Sequence, residues 1–302
     1  MEKSLKDFIK IKEKGCGIAY THCGKFHADD VFCTALLNKI AKFDIRRVHK
    51  LPENIEEEAI VFDIGFGQFD HHSASCTEYR DNGIQYASFG KLWRVIWPLI
   101  VNKRADYIKL DEELVQCLDG KDTGTSDSDF LLTATIKAFN PPWYDEDPNS
   151  MEKAFDEAVQ FASTIIDKHL ANIVNLDKAD MLVKSALIGA EMSTNPDIVI
   201  LDKYAPWKNI LIPSQARFVI YPSLRGNEYN AQTVPDGLNT KHRKCLFPID
   251  WVDKSPSQLD KKVKGLRFCH KTRSLISTNT LNAAVRACMV AKGAKPKKNL
   301  IY

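Results

Sequence analysis

The sequence predicts a two-domain α/β protein, and three observations carry that expectation. Short β-branched or aromatic runs alternate with helically spaced apolar stretches in the N-terminal third. A long helical pattern then runs from Met151 to about Gly189. A second set of apolar runs follows and ends in another helical stretch. The 302 residues suffice for two ordinary domains, and with 44% hydrophobic and 27% charged residues the chain can bury a substantial core. The expected division is an N-terminal domain over 1–150, a helical connector over 151–190 and a smaller C-terminal α/β domain over 191–302.

GIAYTH (17–22) has strand character, and DDVFCTALLNKIAKF (29–43) has helical spacing. IRRVHKL and AIVFDIG supply two further strands, which together make an open sheet with helices on its faces. SFGKLWRVIWPLIV (88–101) reads as a helix with Ser88 as N-cap and Leu92, Trp93, Val95, Ile96 and Trp97 as a core stripe. Residues 106–118 form another helix, and DGKDTGTSDSD (119–129) is a polar, glycine-bearing loop. Prolines break FNPPWYDEDPNS (139–150) before the connector. Beyond it, DIVILDKYAPWKNILI and ARFVIYPS read as strands with Pro206 and Trp207 packing a turn, and TNTLNAAVRACMVA closes the chain as a helix. There is no internal repeat, and the short basic tail GAKPKKN is the only low-complexity feature.

Composition removes several function classes. No apolar run reaches membrane-spanning length, so no membrane partner is expected. The lysine-rich opening MEKSLKDFIKIKEKG lacks the apolar region of a secretory signal, and the eight cysteines are scattered without a CxxC pair. Reduced thiols inside the cell are the expectation: cytoplasm for a bacterial chain, with nucleus or mitochondria open to a eukaryotic one. A net charge of +3 does not announce a nucleic-acid partner, but residues 241–273 gather ten cations against Asp250, Asp253 and Asp260. Such a stretch is either a phosphate-facing surface or a solvated face.

Three acid and histidine clusters fall at predicted strand ends or in loops: THCGKFHADD (21–30), FDIGFGQFDHH (62–72) and LDGKDTG (118–124). Each alone has a plain structural reading. His22 and His27 could be hydrogen-bonded, Asp29 and Asp30 could complement a helix dipole, and Asp70, Asp119 and Asp122 could close turns. Together, at the C-terminal ends of strands, they suit divalent Mn²⁺, Mg²⁺, Fe²⁺ or Zn²⁺, and the ligand count fits two ions held about 4 Å apart.

The strand-borne Asp63 followed by FDHH resembles the signature of the DHH phosphoesterase superfamily. THCGKFHADDVF, VFDIGFGQFDHH, YASFGKLW, FNPPW, FVIYPS and FCHKTRSLIST together resemble the melanocyte proliferating gene family, from about Gly17 to Ala291. The resemblance implies a DHH-type N-terminal domain with a parallel sheet, and a 3′ to 5′ exonuclease acting on RNA or short oligonucleotides. It implies two Mn²⁺ ions, with Mg²⁺ as the alternative, held by His22, His27, Asp29, Asp63, His71 and Asp122. Within that set His27 replaces the more usual aspartate, Asp63 bridges the ions and Asp122 completes the second site. Asp70 orients His71, while His72 faces the scissile phosphate and acts with Asp63 in catalysis. The C-terminal domain closes over the site, with FCHKTRSLIST (268–278) as its binding loop and His270, Lys271 and Arg273 contacting phosphates. Arg273 and Ser274 stand where the family commonly has Gly-Phe.

Two other functions remain in view. A small-molecule phosphoesterase would use the same metal site in a closed pocket, and a non-catalytic nucleic-acid-binding protein would keep the fold without turnover. A homo-oligomer is compatible with all three.

Overall fold

The computed structural model describes residues 2–73, 76–126, 131–224, 226–238 and 240–293. The chain is α/β and divides into two compact units, residues 1–173 and 174–302.

The first unit is built on a three-stranded parallel sheet. β1 (Cys16–His22) lies between β2 (Lys42–Val48) and β3 (Ile60–Val61). The register sets His22 opposite Val48 and Tyr20 opposite Val61, so the C-terminal ends of all three strands open on one edge. Parallel sheets deliver their chemistry at that edge. α1 (Leu5–Lys14) precedes β1 and buries Phe8 and Ile11. α2 (Ala28–Leu37) follows β1, every one of its residues buried. The helical reading of 29–43 overshoots, because the chain turns after Leu37 and Lys42 already enters β2. The strand expected at IRRVHKL accordingly starts three residues early.

Beyond β3, Asp63 turns into the left-handed region at φ +55°, and Phe62 bridges Phe69 before the chain reaches His71. α3 (Ser88–Ile96) ends where Trp97–Leu99 tighten into a 3₁₀ turn around Pro98, so the helix is shorter than 88–101. Its N-cap is Ala87, not Ser88. α4 (Arg104–Leu110) runs through a π turn (Asp111–Val115) into α5 (Gln116–Asp122). Asp119 and Asp122 therefore sit on helix rather than in a loop, and residues 127–129 of the expected loop lie outside the described residues. α6 (Leu131–Phe139) leads to α7 (Ser150–Glu191). The core packs Phe26, Phe32, Leu36, Phe62, Phe89, Leu92, Trp93 and Ile96 with Phe155, Ala158, Ala162 and Ile166 of α7, the i, i+3, i+4 spacing of an amphipathic face.

In the second unit, a five-stranded mixed sheet has the order β4-β5-β6-β8-β7. These strands are β4 (Ile198–Ile200), β5 (Phe218–Pro222), β6 (Tyr229–Thr233), β7 (Leu266–Cys269) and β8 (Leu275–Thr278). Alternation along β5 shows how both faces are covered. Phe218 and Ile220 join a core with Leu259 of α9 (Pro256–Lys262) and with Ala284, Val285 and Cys288 of α10 (Leu281–Ala291). Val219 and Tyr221 join another with Ala179, Val183 and Trp207. Trp207 is buried, as a turn-packing side chain should be, but the following KNIL is a short helix, α8 (Lys208–Leu211), rather than strand.

Candidate metal centre

The three acid and histidine clusters meet at the open edge of the first sheet. His22, the last residue of β1, turns Nε2 to Asp63 Oδ2 at 3.3 Å and Asp30 Oδ2 at 3.5 Å. His71 places Nδ1 3.6 Å from both Asp63 Oδ1 and Asp29 Oδ2, and Nε2 2.9 Å from Asp122 Oδ2. His72 stacks on His71 with ring centres 4.2 Å apart, and its Nδ1 is 2.7 Å from Asp70 Oδ1 and 3.5 Å from Asp63 Oδ1. The Asp63 carboxylate is thus shared: Oδ2 faces the His22 and Asp30 donors, and Oδ1 faces His71 and His72.

Backbone geometry fixes these positions. Asp29 opens α2 and accepts N–H bonds from Ser88 (2.9 Å) and Phe89 (2.8 Å), so it caps the start of α3. Ser88 donates its hydroxyl to Asp63 Oδ1 at 3.1 Å and lies 3.2 Å from His71 Nδ1. Asp70 Oδ2 accepts from Phe66 N–H and Oδ1 from His72 N–H. Asp70 therefore holds His72, in place of the His71 contact implied by resemblance.

Behind the donors lies a buried ion network. Arg80 makes a two-pronged contact to Asp111 at 3.0 and 2.9 Å, reaches Asp119 Oδ2 at 2.7 Å, and stacks on Tyr86 with its guanidinium 3.9 Å from the ring centre. Asp119 Oδ1 accepts the Gly90 N–H. The network ties α3 to α5 one helical turn before Asp122.

Electrostatics show what the cluster lacks. Burial pushes the Asp30 carboxyl up to about 7, with the His22 imidazole opposing and Asp63 reinforcing the rise. Burial, with the charges of Asp122, Asp63 and Asp119, holds Asp29 well above the carboxylate range. Burial also lifts Asp119 to about 7 against the pull of Arg80. Hydrogen bonding to Asp63 raises His22 to about 9 despite its burial. Burial lowers His71, but the hydrogen bond and charge of Asp122 outweigh it and leave a raised value. Crowded carboxylates that keep protons at neutral pH are short of positive charge. Asp30 Oδ2 is in addition buried without a hydrogen-bond partner. An oxygen-rich donor set whose imidazoles give up a proton on ligation fits a divalent cation. Among the described residues three donor groups qualify geometrically: His22, Asp30 and Asp63; Asp29, His71 and Asp122; and Asp63, Asp70, His71 and His72.

Five of the six expected ligands, His22, Asp29, Asp63, His71 and Asp122, fall in these groups. His27 does not: it is exposed, it precedes α2 with its N–H bonded to Asp30 Oδ1, and its ring centre stands 5.8 Å from that of His22. Asp30 takes its place among the donors, and sequence spacing alone could not choose between neighbouring acids at a helix start. Arg80 was missed, Ser88 was read only as an N-cap and Asp119, though in the third cluster, only as a turn former, because a hydroxyl contact and a buried ion pair leave no linear signal.

In the second unit His270, Lys271 and Arg273 form the β7–β8 turn. His270 Nδ1 lies 2.6 Å from Thr272 Oγ1 and accepts the Thr272 N–H. Arg273 adopts φ +59° and donates Nε to Phe247 O, so its guanidinium is already engaged. Among the described residues, six of the ten cations in residues 241–273 have intramolecular partners: Arg243, Lys244, Lys262, Lys264, Arg267 and Arg273.

A parallel-sheet α/β unit with a carboxylate-imidazole cluster at its strand ends defines a candidate metal-dependent hydrolase. Comparison with known families makes the assignment specific: the chain belongs to the MYG1_exonuc family (uncharacterised protein family UPF0160), whose model matches residues 18–291. It is 25% identical over 310 residues to the MYG1 protein C694.04c of Schizosaccharomyces pombe, covering 88% of this chain and 94% of that one. It is 20% identical over 298 residues to the MYG1 protein C27H6.8 of Caenorhabditis elegans, covering 83% and 87%. The MYG1 protein of Chlamydia trachomatis is 24% identical over 270 residues, covering 83% and 88%. No solved structure matches. The family's name denotes exonuclease-type hydrolysis, and the clustered donors suit a divalent metal. Among the described residues no helix is long and apolar enough to cross a membrane.

Proposed function

We propose that the protein is a Mn²⁺- or Mg²⁺-dependent phosphodiester hydrolase that removes nucleotides from the 3′ end of RNA or short oligonucleotides. The observation that carries the reading is the divided Asp63 carboxylate, whose two oxygens face separate donor groups as a bridging ligand's would. His22 and Asp30 would hold one ion, and His71, Asp29 and Asp122 the other. Two such ions lower the pKa of a coordinated water and offset charge on the phosphoryl oxygens.

The remaining chemistry belongs to the side chains. His72 is about half exposed, with a side-chain accessibility of 51%, and its Nδ1 is fixed to Asp70. With Nδ1–H donated to Asp70, Nε2 is the ring atom left free, a proton acceptor in the neutral ring and a donor to a phosphate oxygen or leaving group once it has taken up a proton. Ser88 steadies Asp63 and His71 from behind, which keeps the donor geometry from relaxing as charge develops.

A 3′-labelled and a 5′-labelled RNA oligonucleotide incubated with Mn²⁺ should yield products shortened one nucleotide at a time from the 3′ end. The ladder should vanish in the Asp63→Ala protein and under chelation. One specific observation favours a small-ester substrate instead: most cations of residues 241–273 are engaged internally, which leaves a weaker polymer track. Mn²⁺-dependent cleavage of mononucleotide esters with no RNA product would select that reading.

A further inference from the structure

Phe66 is hard to explain as part of the scaffold. It lies in the loop between Asp63 and Asp70, its backbone occupies the left-handed region at φ +55°, and its ring is 71% exposed. Glycine or asparagine would adopt that backbone more easily, and a polar side chain would suit the exposure. The chain nevertheless places there a phenyl ring that contributes nothing to the core. The backbone at Phe66 is held in place, because Phe66 N–H donates to Asp70 Oδ2 at 2.6 Å, and the same carboxylate fixes His72. Strained, conformationally fixed residues of this kind gather at binding sites.

Phe66 borders a cavity of about 500 Å³ that runs from Asp70 past Ser73 and Cys76 to Glu78, Lys91 and Arg94. Both cations come from α3, whose first turn is bound to Asp29 of the metal centre. Lys91 is buried, with Nζ 3.2 Å from Glu78 Oε1, and Arg94 pairs with the other Glu78 oxygen. Two cations thus share the Glu78 carboxylate. Glu2 and Asp70 are the other acids on the wall, and Asp70 is committed to His72 and Phe66.

We propose that this cavity is a nucleotide subsite beside the metal centre, with Phe66 stacking one base of a single-stranded nucleic acid. It rests on the phosphodiesterase reading and deepens it, because it assigns a base-binding residue beside the metal centre. The volume admits about one nucleotide, since ligand pockets of roughly 300–1,000 Å³ take molecules of that size. Stacking on an aromatic face accepts any base, so the contact carries no sequence requirement.

The test is binding of fluorescein-labelled single-stranded oligoadenylate, in ribo and deoxy forms, followed by anisotropy with Mn²⁺ present in an Asp63→Ala background. Phe66→Gly should weaken binding by roughly tenfold, the loss of one base stack. It should leave the thermal midpoint unchanged or higher, since glycine relieves the left-handed backbone. Phe66→Tyr should restore binding, and equal losses for the two sugars would assign the contact to the base. Binding by Phe66→Gly within twofold of its parent, or no binding by the parent itself, overturns the subsite. Failure of the phosphodiesterase reading shows differently: the protein with Asp63 intact would bind oligoadenylate in a Phe66-dependent way and release no product with Mn²⁺.

Discussion

Gly90 should tolerate no side chain, and the structure gives the size of the effect. A Cβ at this position would lie 1.9 Å from Asp119 Oδ2 and 2.8 Å from both Asp119 Cγ and Arg80 Nη2. Neither neighbour can step aside cheaply. Asp119 is fully buried, and its oxygens are held by Gly90 N–H and Arg80, which is itself locked to Asp111. Relieving the overlap means moving a buried ion pair by more than 1 Å. Overpacking costs about 1–3 kcal/mol, and outright breakage of a buried pair about 3–5 kcal/mol. Against that, alanine gains about 1 kcal/mol of helix propensity over glycine. Gly90→Ala should therefore destabilise by about 2–4 kcal/mol, or roughly 5–15 °C in the midpoint of a unit this size. Gly189→Ala is the internal control, because a Cβ there meets nothing within 4 Å on helix α7. It should be neutral or stabilising by up to about 1 kcal/mol. Since the displaced pair lies one turn before Asp122, Gly90→Ala should also weaken Mn²⁺ binding by about tenfold or more. Calorimetric unfolding and Mn²⁺ titration of both variants provide the measurement. A Gly90→Ala protein as stable as its parent would refute the packing argument.

Three further outcomes follow from the site's charges and from one turn. In the metal-free protein the folded state keeps protons on Asp30 to about pH 7 and on His22 to about pH 9, above their unfolded values, so it binds more protons than the unfolded chain. The Asp30 penalty then grows as pH rises from the ordinary carboxylate range to about 7, and the His22 contribution, complete below about 6.5, is lost through about 9. Stability without metal should fall across that window, and the rise in midpoint on adding Mn²⁺ should be larger at about pH 8 than at about pH 6; a rise independent of pH would count against the assignment. Asp30→Asn keeps the Oδ1 acceptor for His27 N–H and removes the charge facing His22. Unfolding at about pH 8 should show it to be the more stable metal-free protein, and titration should show Mn²⁺ affinity down by about tenfold or more. Arg273→Gly sheds a left-handed backbone penalty of about 1 kcal/mol and loses a Phe247 hydrogen bond of similar worth, so denaturant unfolding should place it within about 1 kcal/mol of wild type. Arg273→Ala keeps the penalty and loses the bond, and should be the less stable of the two.

The readable parts of this chain are those whose signal is local. β1, α2 and α7 follow from apolar spacing, and the acid and histidine clusters stand out because each ends or follows a short apolar run. The second sheet was read less completely. YNAQT, LRFC and LIST are short, partly polar strands whose pairing with one another is what makes them strands, and only ARFVIYPS among the central segments has an unbroken apolar run. The loop reading of residues 119–122 failed for a similar reason. DGKDTG has turn composition, yet Asp119 is held in helix by Arg80 and Gly90, from segments far away in the chain.

The distinction between Asp29 and Asp30 shows where the limit lies. Both are first-turn acids of α2 and both are buried, so composition treats them alike. Their difference is made by partners: Asp29 receives the start of α3, and Asp30 faces His22 with one oxygen that no protein donor satisfies. A helix start that buries two adjacent carboxylates is unfavourable unless each has a use. The N–H groups of α3 satisfy Asp29, and His22 with a cation satisfies Asp30. Losing the cation should therefore be felt most at Asp30, whereas Asp29 keeps its backbone partners whether or not metal is bound.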